Sequence, residues 1–400
     1  MTSTASYRSP LNEGVLPAQR GEFAPVRIGP IELPVPVVLA PMAGVTDWPF
    51  RALCSQFGAG LYVNQMITAR ALVENNENTW KLAEFGPEES PRSIQLYTTD
   101  PLYTREAVRR LVGEGRVDHI DMNFGCPAPK VTRNGGGGAL PVKRRLLREV
   151  INAAVTAAGD VPVTIKFRKG IDDDHLTFIE TGQIAQDEGV VALALHGRTV
   201  RELYSGHADW SAIGELVAAV DIPVFGNGDI WEAFDAIRMM RSTGCAGVVV
   251  GRGCLGRPWL FRDLADVFAG REPTDPLVPI STVTEVMIDH CSRLVDFYSD
   301  TGRGEEKIVR RFRKHSSWYL AGYPVGRDVR RELSTINSIA ELETILSTID
   351  PDLRLPPEGV RVKRSHSGGP RKVALPANWL DDPDEEIRLD AAAEARVSGG

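Results

Sequence analysis

Residues 93–124 read SIQLYTTDPLYTREAVRRLVGEGRVDHIDMNF. A short β-rich run, SIQLY, passes through a polar turn into PLYTREAVRRLVGEG, which has a helical pattern, and a second short run, HIDMNF, follows. Strand, helix and strand in that order form a βαβ unit, in which the helix carries the chain back so that the two strands lie parallel.

The same rhythm extends in both directions, from about residue 37 to 252. Besides the two runs above, strands are predicted at VVLAPMA (37–43), LYVNQM (61–66), VPVTIKF (161–167), ALALHG (192–197), PVFGNGD (223–229) and GVVVGR (247–252). Eight such runs with helical patterns between them fit a TIM (β/α)8 barrel of the α/β class better than a doubly wound sheet. Polar and glycine residues gather at the C-terminal ends of the runs, the end at which this architecture builds its active site.

After about residue 275 the rhythm stops. Val283, Met287, Cys291, Leu294, Val295 and Tyr298 form an apolar stripe at helical spacing, with Thr282 and Glu285 placed as a capping box. Ser338 and Glu341 repeat that spacing ahead of ELETILSTI, which predicts a C-terminal all-α helical bundle. The expected organisation is an N-terminal leader (1–30), a barrel (31–272), a helical domain (275–352) and a tail (356–400). That tail is rich in Pro, Gly and charge, with few core-forming residues apart from VALPANWL, and most of it is expected to be disordered or loosely attached.

Composition narrows the function classes. The five cysteines are scattered without a C-x-x-C pair, which argues against a disulfide framework or a zinc site, and no metal is expected. No apolar run approaches the length of a membrane span and the N-terminus lacks a signal-peptide core, so a cytoplasmic protein is expected. The net charge of −7 opposes indiscriminate nucleic-acid binding and leaves room only for local RNA contact.

Chemistry concentrates at the strand ends. Cys126, between Gly125 and Pro127 just past the fourth run, stands in a turn at the catalytic face, where a mostly protonated thiol can act as a general acid. Lys166 and Arg168 share one face of the fifth run, and His196 ends the sixth. Glycines 226, 228, 251 and 253 free backbone amides after the last two strands, where barrels commonly hold a phosphate, and Arg252 adds a fixed charge there. With Gln95 for amide-like hydrogen bonding, these groups describe a site for a phosphorylated planar cofactor, which FMN fits. No Rossmann or Walker fingerprint is present; the glycines at 135–138 precede no Lys-Ser/Thr pair.

The segments APMAGVTDWPFR, QLYTTDP, DMNFGCPAPKV, IKFRKG, LHGRT, YSGHADW, FGNGDI and VVVGRGCLGRPWLF occur in that order, and with them the chain resembles the tRNA-dihydrouridine synthases, in particular the bacterial B-type enzymes. The resemblance runs from about residue 31 to 350; Gln65 stands where a Glu is expected, and the region beyond 356 has no counterpart in the shared core. It implies a first cofactor loop at Pro41, Met42 and Ala43, and isoalloxazine contacts from Gln95 and Lys166. The ribityl phosphate end would lie among His196, Asn227, Gly228, Asp229, Gly251 and Arg252, with Cys126 the proton donor and Asn123 near the target base.

The implied reaction has NADPH (or NADH) reducing FMN, followed by hydride transfer to C6 of a tRNA uridine and protonation of C5 by Cys126. RGEEKIVRRFRKH (303–315) supplies a local basic patch, in which Lys307, Arg311 and Lys314 share a helical face suited to phosphates. Two rivals remain at this level. An FMN barrel reducing a free pyrimidine or similar small molecule would not need that patch, and a non-catalytic RNA-binding barrel would not need Cys126, Lys166 and Gln95.

Overall fold

The computed structural model describes residues 7–58, 60–365 and 368–387. A short antiparallel hairpin, β1 (Val26–Ile28) and β2 (Ile31–Leu33), precedes β3 (Val37–Leu39), β4 (Leu61–Thr68), β5 (Ser93–Tyr97) and β6 (His119–Phe124). Then follow β7 (Val163–Arg168), β8 (Ala192–His196), β9 (Val224–Asn227) and β10 (Gly247–Val250). Strands β3 to β10 close a parallel barrel in which β10 pairs back onto β3, and they coincide with the eight runs read from the sequence.

In the opening stretch, Asp100 caps the helix Pro101–Gly113 by accepting from the Leu102 amide at 2.7 Å, with Pro101 at the first helical position. Such a cap contributes about 1 kcal/mol. Its Thr104, Ala107, Val108 and Leu111 are buried toward the sheet. Strands β3, β5, β9 and β10 are buried along their whole length, which is why they read as short continuous runs rather than as alternation.

The barrel interior has two halves. Val38, Ala40, Leu61, Val63, Ala192, Phe225 and Val249 form an apolar half, closed at the N-terminal mouth by Val26, Ile28 and Leu33 of the hairpin. The hairpin spans the expected boundary between residues 30 and 31, with its first strand on the leader side and its second on the barrel side.

Helices Ile280–Tyr298, Glu305–Tyr319, Arg327–Leu333 and Ile339–Leu346 make the C-terminal helical region. Its core is continuous with the barrel, because Leu53 and Trp259 pack among Met287, Leu294, Phe312 and Tyr319. Ser338 caps the last helix by accepting from the Glu341 amide at 3.1 Å. The capping box expected at Thr282 does not form: the helix starts earlier, after Pro279, and the Ile280 amide donates to Leu353 O at 2.7 Å.

The expectation of a loosely attached tail fails over its described residues. Arg257 binds Val360 O, Arg361 pairs with Glu232 and Asp235, and Trp379 is buried against Ala139, Val142, Ile171 and Val200. Those partners lie far away along the chain, so composition alone could not reveal them. Residues 366–367 and 388–400 of that expected tail lie outside the described residues. Among the described residues no helix is long and apolar enough to cross a membrane.

Candidate active site

Parallel register brings the predicted residues together in rungs. Asn123 on β6 lies beside Lys166 on β7; one step nearer the C-terminal mouth, Arg168 lies beside His196 on β8, and His196 beside Asn227 on β9. Below them Gln95 on β5 is level with Asp121 on β6, and Asp121 with Thr164 on β7.

These polar groups form one hydrogen-bonded chain. Asn123 Nδ2 donates to Gln95 Oε1 at 2.7 Å, and Gln95 Nε2 donates to Asp121 Oδ2 at 2.6 Å. From the other side Thr164 Oγ1 donates to Asp121 Oδ1 at 2.6 Å, His119 Nε2 lies 2.9 Å from Thr164 Oγ1, and His119 Nδ1 lies 2.7 Å from Ser93 Oγ. Thr164 spends its proton on Asp121, so it must accept from His119 Nε2, which leaves Nδ1 to accept from Ser93. Burial pushes His119 down to about 3, consistent with this neutral tautomer, and raises Asp121 to about 6. Both branches therefore end on the Asp121 carboxylate.

Cys126 hangs from the top of this chain. Its amide donates to Asn123 Oδ1 at 3.0 Å, and the Gly125 amide to the same oxygen at 3.2 Å, while Arg168 Nε holds Gly125 O at 3.0 Å. Cys126 is half-buried, whereas the other four cysteines are buried. Desolvation raises its pKa, partly opposed by the Ala128 amide and by Arg168, Lys130 and Lys166. Around neutral pH it is therefore a protonated thiol and not a nucleophilic thiolate.

Positive charge converges beside it. Burial lowers Lys166 to about 8, with Arg168 adding to the shift and Asp121 opposing it. Arg252 is lowered to about 10 by burial and then by Arg198. His196 stays neutral, held well below its ordinary value by desolvation and by Arg168, Lys166, Arg198 and Arg252. Arg198 is spread over the Asp229 carboxylate, with both contacts at 2.8 Å, and Asp229 also accepts from the Ala208 amide at 2.6 Å. Tyr204 lies between two guanidinium groups, 4.4 Å from Arg252 and 5.3 Å from Arg168.

Three site residues spend their polar atoms on scaffolding. Asn227 Nδ2 donates to Val249 O at 2.7 Å, tying β9 to β10. Gly228, at φ +128, accepts from Trp210 Nε1 at 3.0 Å, and Asp229, at φ +57, turns its carboxylate onto Arg198. Gly251 follows β10, and the next glycine, Gly253, passes so close to Ile230 O that a Cβ there would lie 2.0 Å from it. The loops after β9 and β10 are thus fitted to one another at their backbones.

The family model described as "Dihydrouridine synthase (Dus)" matches residues 38–351. The chain belongs to the dihydrouridine synthase family.

A probable tRNA-dihydrouridine synthase of Mycobacterium tuberculosis is 50% identical over 386 residues, covering 94% of this chain and 97% of that protein. The corresponding protein of Mycobacterium leprae is 46% identical, covering 91% and 100%. The tRNA-dihydrouridine synthase B of Pseudomonas aeruginosa is 40% identical over 78% of this chain and 91% of its own length. As a dihydrouridine synthase the chain is an enzyme of the oxidoreductase class.

In this member of the family the loop Pro41–Thr46 above β3 is closed on itself. The Met42 amide donates to Thr46 Oγ1 at 2.9 Å, and the Gly44 amide to Gln65 Oε1 at 2.6 Å. Arg51, buried beneath, donates to Thr46 O and to Asn64 Oδ1, both at 2.9 Å, and is paired with Glu89. Pro41 and Met42 are half-buried and Ala43 is exposed at the mouth.

The helical region meets that loop directly. Tyr298 OH donates to Asp47 Oδ2 at 2.9 Å, Lys314 Nζ reaches Gly44 O, and Arg311 stacks on the Tyr298 ring at 4.2 Å. Within the basic stretch, Arg310 pairs with Glu306, and Arg313 is consumed by Ile336 O, Thr335 O and Asn337. Lys307 and Lys314 are exposed and Arg311 is half-buried, so the predicted helical face survives while the total charge overstates it.

Sequence reasoning passed over Asp121, Thr164, His119, Arg198 and Tyr204. One signal for the first set was present: in HIDMNF, His119, Asp121 and Asn123 alternate with apolar residues, which places three polar side chains on one face of a buried strand.

Proposed function

We propose that the chain reduces uridine in tRNA to dihydrouridine, using bound FMN and NADPH. The observation that carries this reading is the turn of Cys126, suspended from Asn123, which is level with Lys166 and beside the cationic cluster of β7 to β10. The relatives named for tRNA supply the substrate class.

The residues present fit FMN. Lys166, Arg168 and Arg252 converge in a desolvated place where burial disfavours their charge, and an anion relieves that cost. Arg252 and His196, with the backbone amides of Gly228, Asp229 and Gly251, would hold the phosphate end, and Asn227 would fix the strand end that presents them. Lys166 with Gln95 would hold the polar edge of the ring, and residues 41–43 would supply a further cofactor loop. When bound and reduced by NADPH, FMN supplies the hydride received by C6 of the uracil.

The protein's own contribution is then acid catalysis and orientation. Cys126 Sγ gives its proton to C5, and the uracil is held by Asn123, whose side chain is already fixed by Gln95 and by the Cys126 amide. Lys166 remains cationic by virtue of Asp121 and stabilises negative charge at the ring edge. Neutral His196 contributes a hydrogen bond without adding charge. A stacked base must leave the RNA to enter the mouth, and the Lys307–Arg311–Lys314 face would grip the phosphates around it. Acting on tRNA, the enzyme would work in the cytoplasm.

The test is to incubate the yellow, FMN-loaded protein and NADPH with tRNA lacking dihydrouridine, then map the product by position. Conversion of a free pyrimidine with no product in tRNA would replace this reading with the small-molecule reductase. Lys307→Ala is expected to weaken tRNA binding and to lower the slope of log affinity against log salt by roughly one contact's worth. An unchanged slope in a filter-binding titration would remove Lys307 from the RNA contact.

A further inference from the structure

The loop that follows Cys126 contains four consecutive glycines, Gly135 to Gly138, and the contacts around it explain each of them. Gly135 (φ +73) and Gly137 (φ +53) occupy the left-handed region. A Cβ on Gly136 would lie 2.4 Å from Tyr97 Oη, and one on Gly138 would lie 2.4 Å from Val200 Cγ2. A Cβ on Gly137 would lie 2.7 Å from Cys126 O and 3.0 Å from Cys126 Cβ, and the Gly138 amide donates to Cys126 O at 3.0 Å. The glycine loop is therefore the wall against which the catalytic turn rests.

A four-glycine run has more freedom to lose on ordering than any other sequence, so this wall must be held from outside. Trp379 does this. It is 4% exposed, its Nε1 donates to Ala139 O at 2.8 Å, and its ring stands where a Gly135 Cβ would come within 2.4 Å of Cη2. The flanking residues fasten the segment: the buried Lys143 Nζ donates to Asp382 O at 2.6 Å and pairs with Glu385, and the Arg144 amide donates to Pro383 O at 3.0 Å. Farther up, the Arg371 amide donates to Arg201 O at 3.0 Å, in the loop after β8. The tail partners in these contacts, residues 371–385, lie beyond residue 351, where the family model's match ends.

We propose that residues 368–387 brace the turn that carries Cys126, and that Trp379 is a positioning residue for its thiol. The catalytic consequence rests on the reading of Cys126 as proton donor; the mechanical part does not. Without the brace the glycine loop loosens, water reaches Cys126 Sγ, and the acid no longer presents one fixed direction to the substrate.

Iodoacetamide reports on this thiol selectively, because the other four cysteines are buried. The test compares the FMN-loaded full chain with Trp379→Ala, Trp379→Phe and a chain ending at residue 367, after FMN content and unfolding midpoint have verified folding. In Trp379→Ala and the shortened chain, Cys126 alkylation at neutral pH, read by mass spectrometry, is expected to rise roughly tenfold as solvent and reagent reach the thiol. kcat for tRNA reduction should fall with KM for tRNA unchanged, and Trp379→Phe, which retains the ring, should restore most of both. Should the shortened chain fail to fold, the two point variants carry the comparison.

Alkylation at the parental rate in Trp379→Ala overturns the brace, and so does a change confined to KM, which would make the tail a substrate contact. If Cys126→Ala still forms product, the acid assignment fails instead, while the alkylation rates still decide whether the tail holds the turn.

Discussion

Replacing Cys126 with alanine is expected to reduce dihydrouridine formation by ~10²–10⁴-fold, the usual worth of a positioned proton donor, while leaving FMN bound and its reduction by NADPH at the parental rate. The separation of the two half-reactions follows from the geometry. Cys126 hangs from Asn123 by a backbone bond, so the substitution removes the acid without disturbing the Asn123–Gln95–Asp121 chain beneath it. The pH dependence has a definite sign. Burial raises the thiol pKa, and a thiol acting as the proposed proton donor works in its protonated form. The reduction step should therefore be level through neutral pH and decline only as pH climbs above the ordinary thiol range near ~8.5. Single-turnover mixing of reduced enzyme with tRNA measures this directly; product at the parental rate in Cys126→Ala would remove the residue from the chemistry.

The second large effect is on stability. Arg51→Met should cost about 3–5 kcal/mol, because it leaves a buried charge and several buried acceptors without their donor. The Arg51 side chain is wholly buried and satisfies Thr46 O, Asn64 Oδ1, Glu84 O and both oxygens of Glu89, whose side chain is only 13% exposed. Thr46 in turn closes the loop over Met42, so FMN should be lost more readily from the variant even under conditions where it remains folded. Urea unfolding followed by circular dichroism gives the first quantity and flavin fluorescence on dilution the second. A parental urea midpoint would show that the network is not coupled to the fold.

Much of the barrel was legible because enclosed parallel strands are apolar on both faces, so each appears as a short run, and its chemistry sits at the end where the run stops. What escaped the sequence depended on partners distant along the chain. Thr282 and Glu285 have the spacing of a cap, yet the helix begins at Ile280 because Leu353 O is there to receive its amide. Most of the tail looked unfit for a core because the groove that receives Trp379 is built from three segments distant along the chain, at 139–142, 171 and 200. Arg310 and Arg313 counted toward an RNA-binding patch, but Glu306 and the backbone at 335–336 already hold them. Asp121, the acceptor at which the interior network converges, was visible only as one letter in an alternating strand.

The seam between Tyr298 and Asp47, and between Lys314 and Gly44, bears on attempts to reprogram such enzymes. An engineer wishing to transplant the helical region of one relative onto the barrel of another would treat residues 275–352 as a cassette. The junction that matters is not the linker at its start but the first barrel loop, some 230 positions upstream. A graft that brings a foreign residue 298 against Asp47 strands a buried carboxylate, whose pKa burial already raises, at the foot of the first barrel loop. Successful chimeras should therefore carry residues 41–47 and the helical cassette as a matched pair.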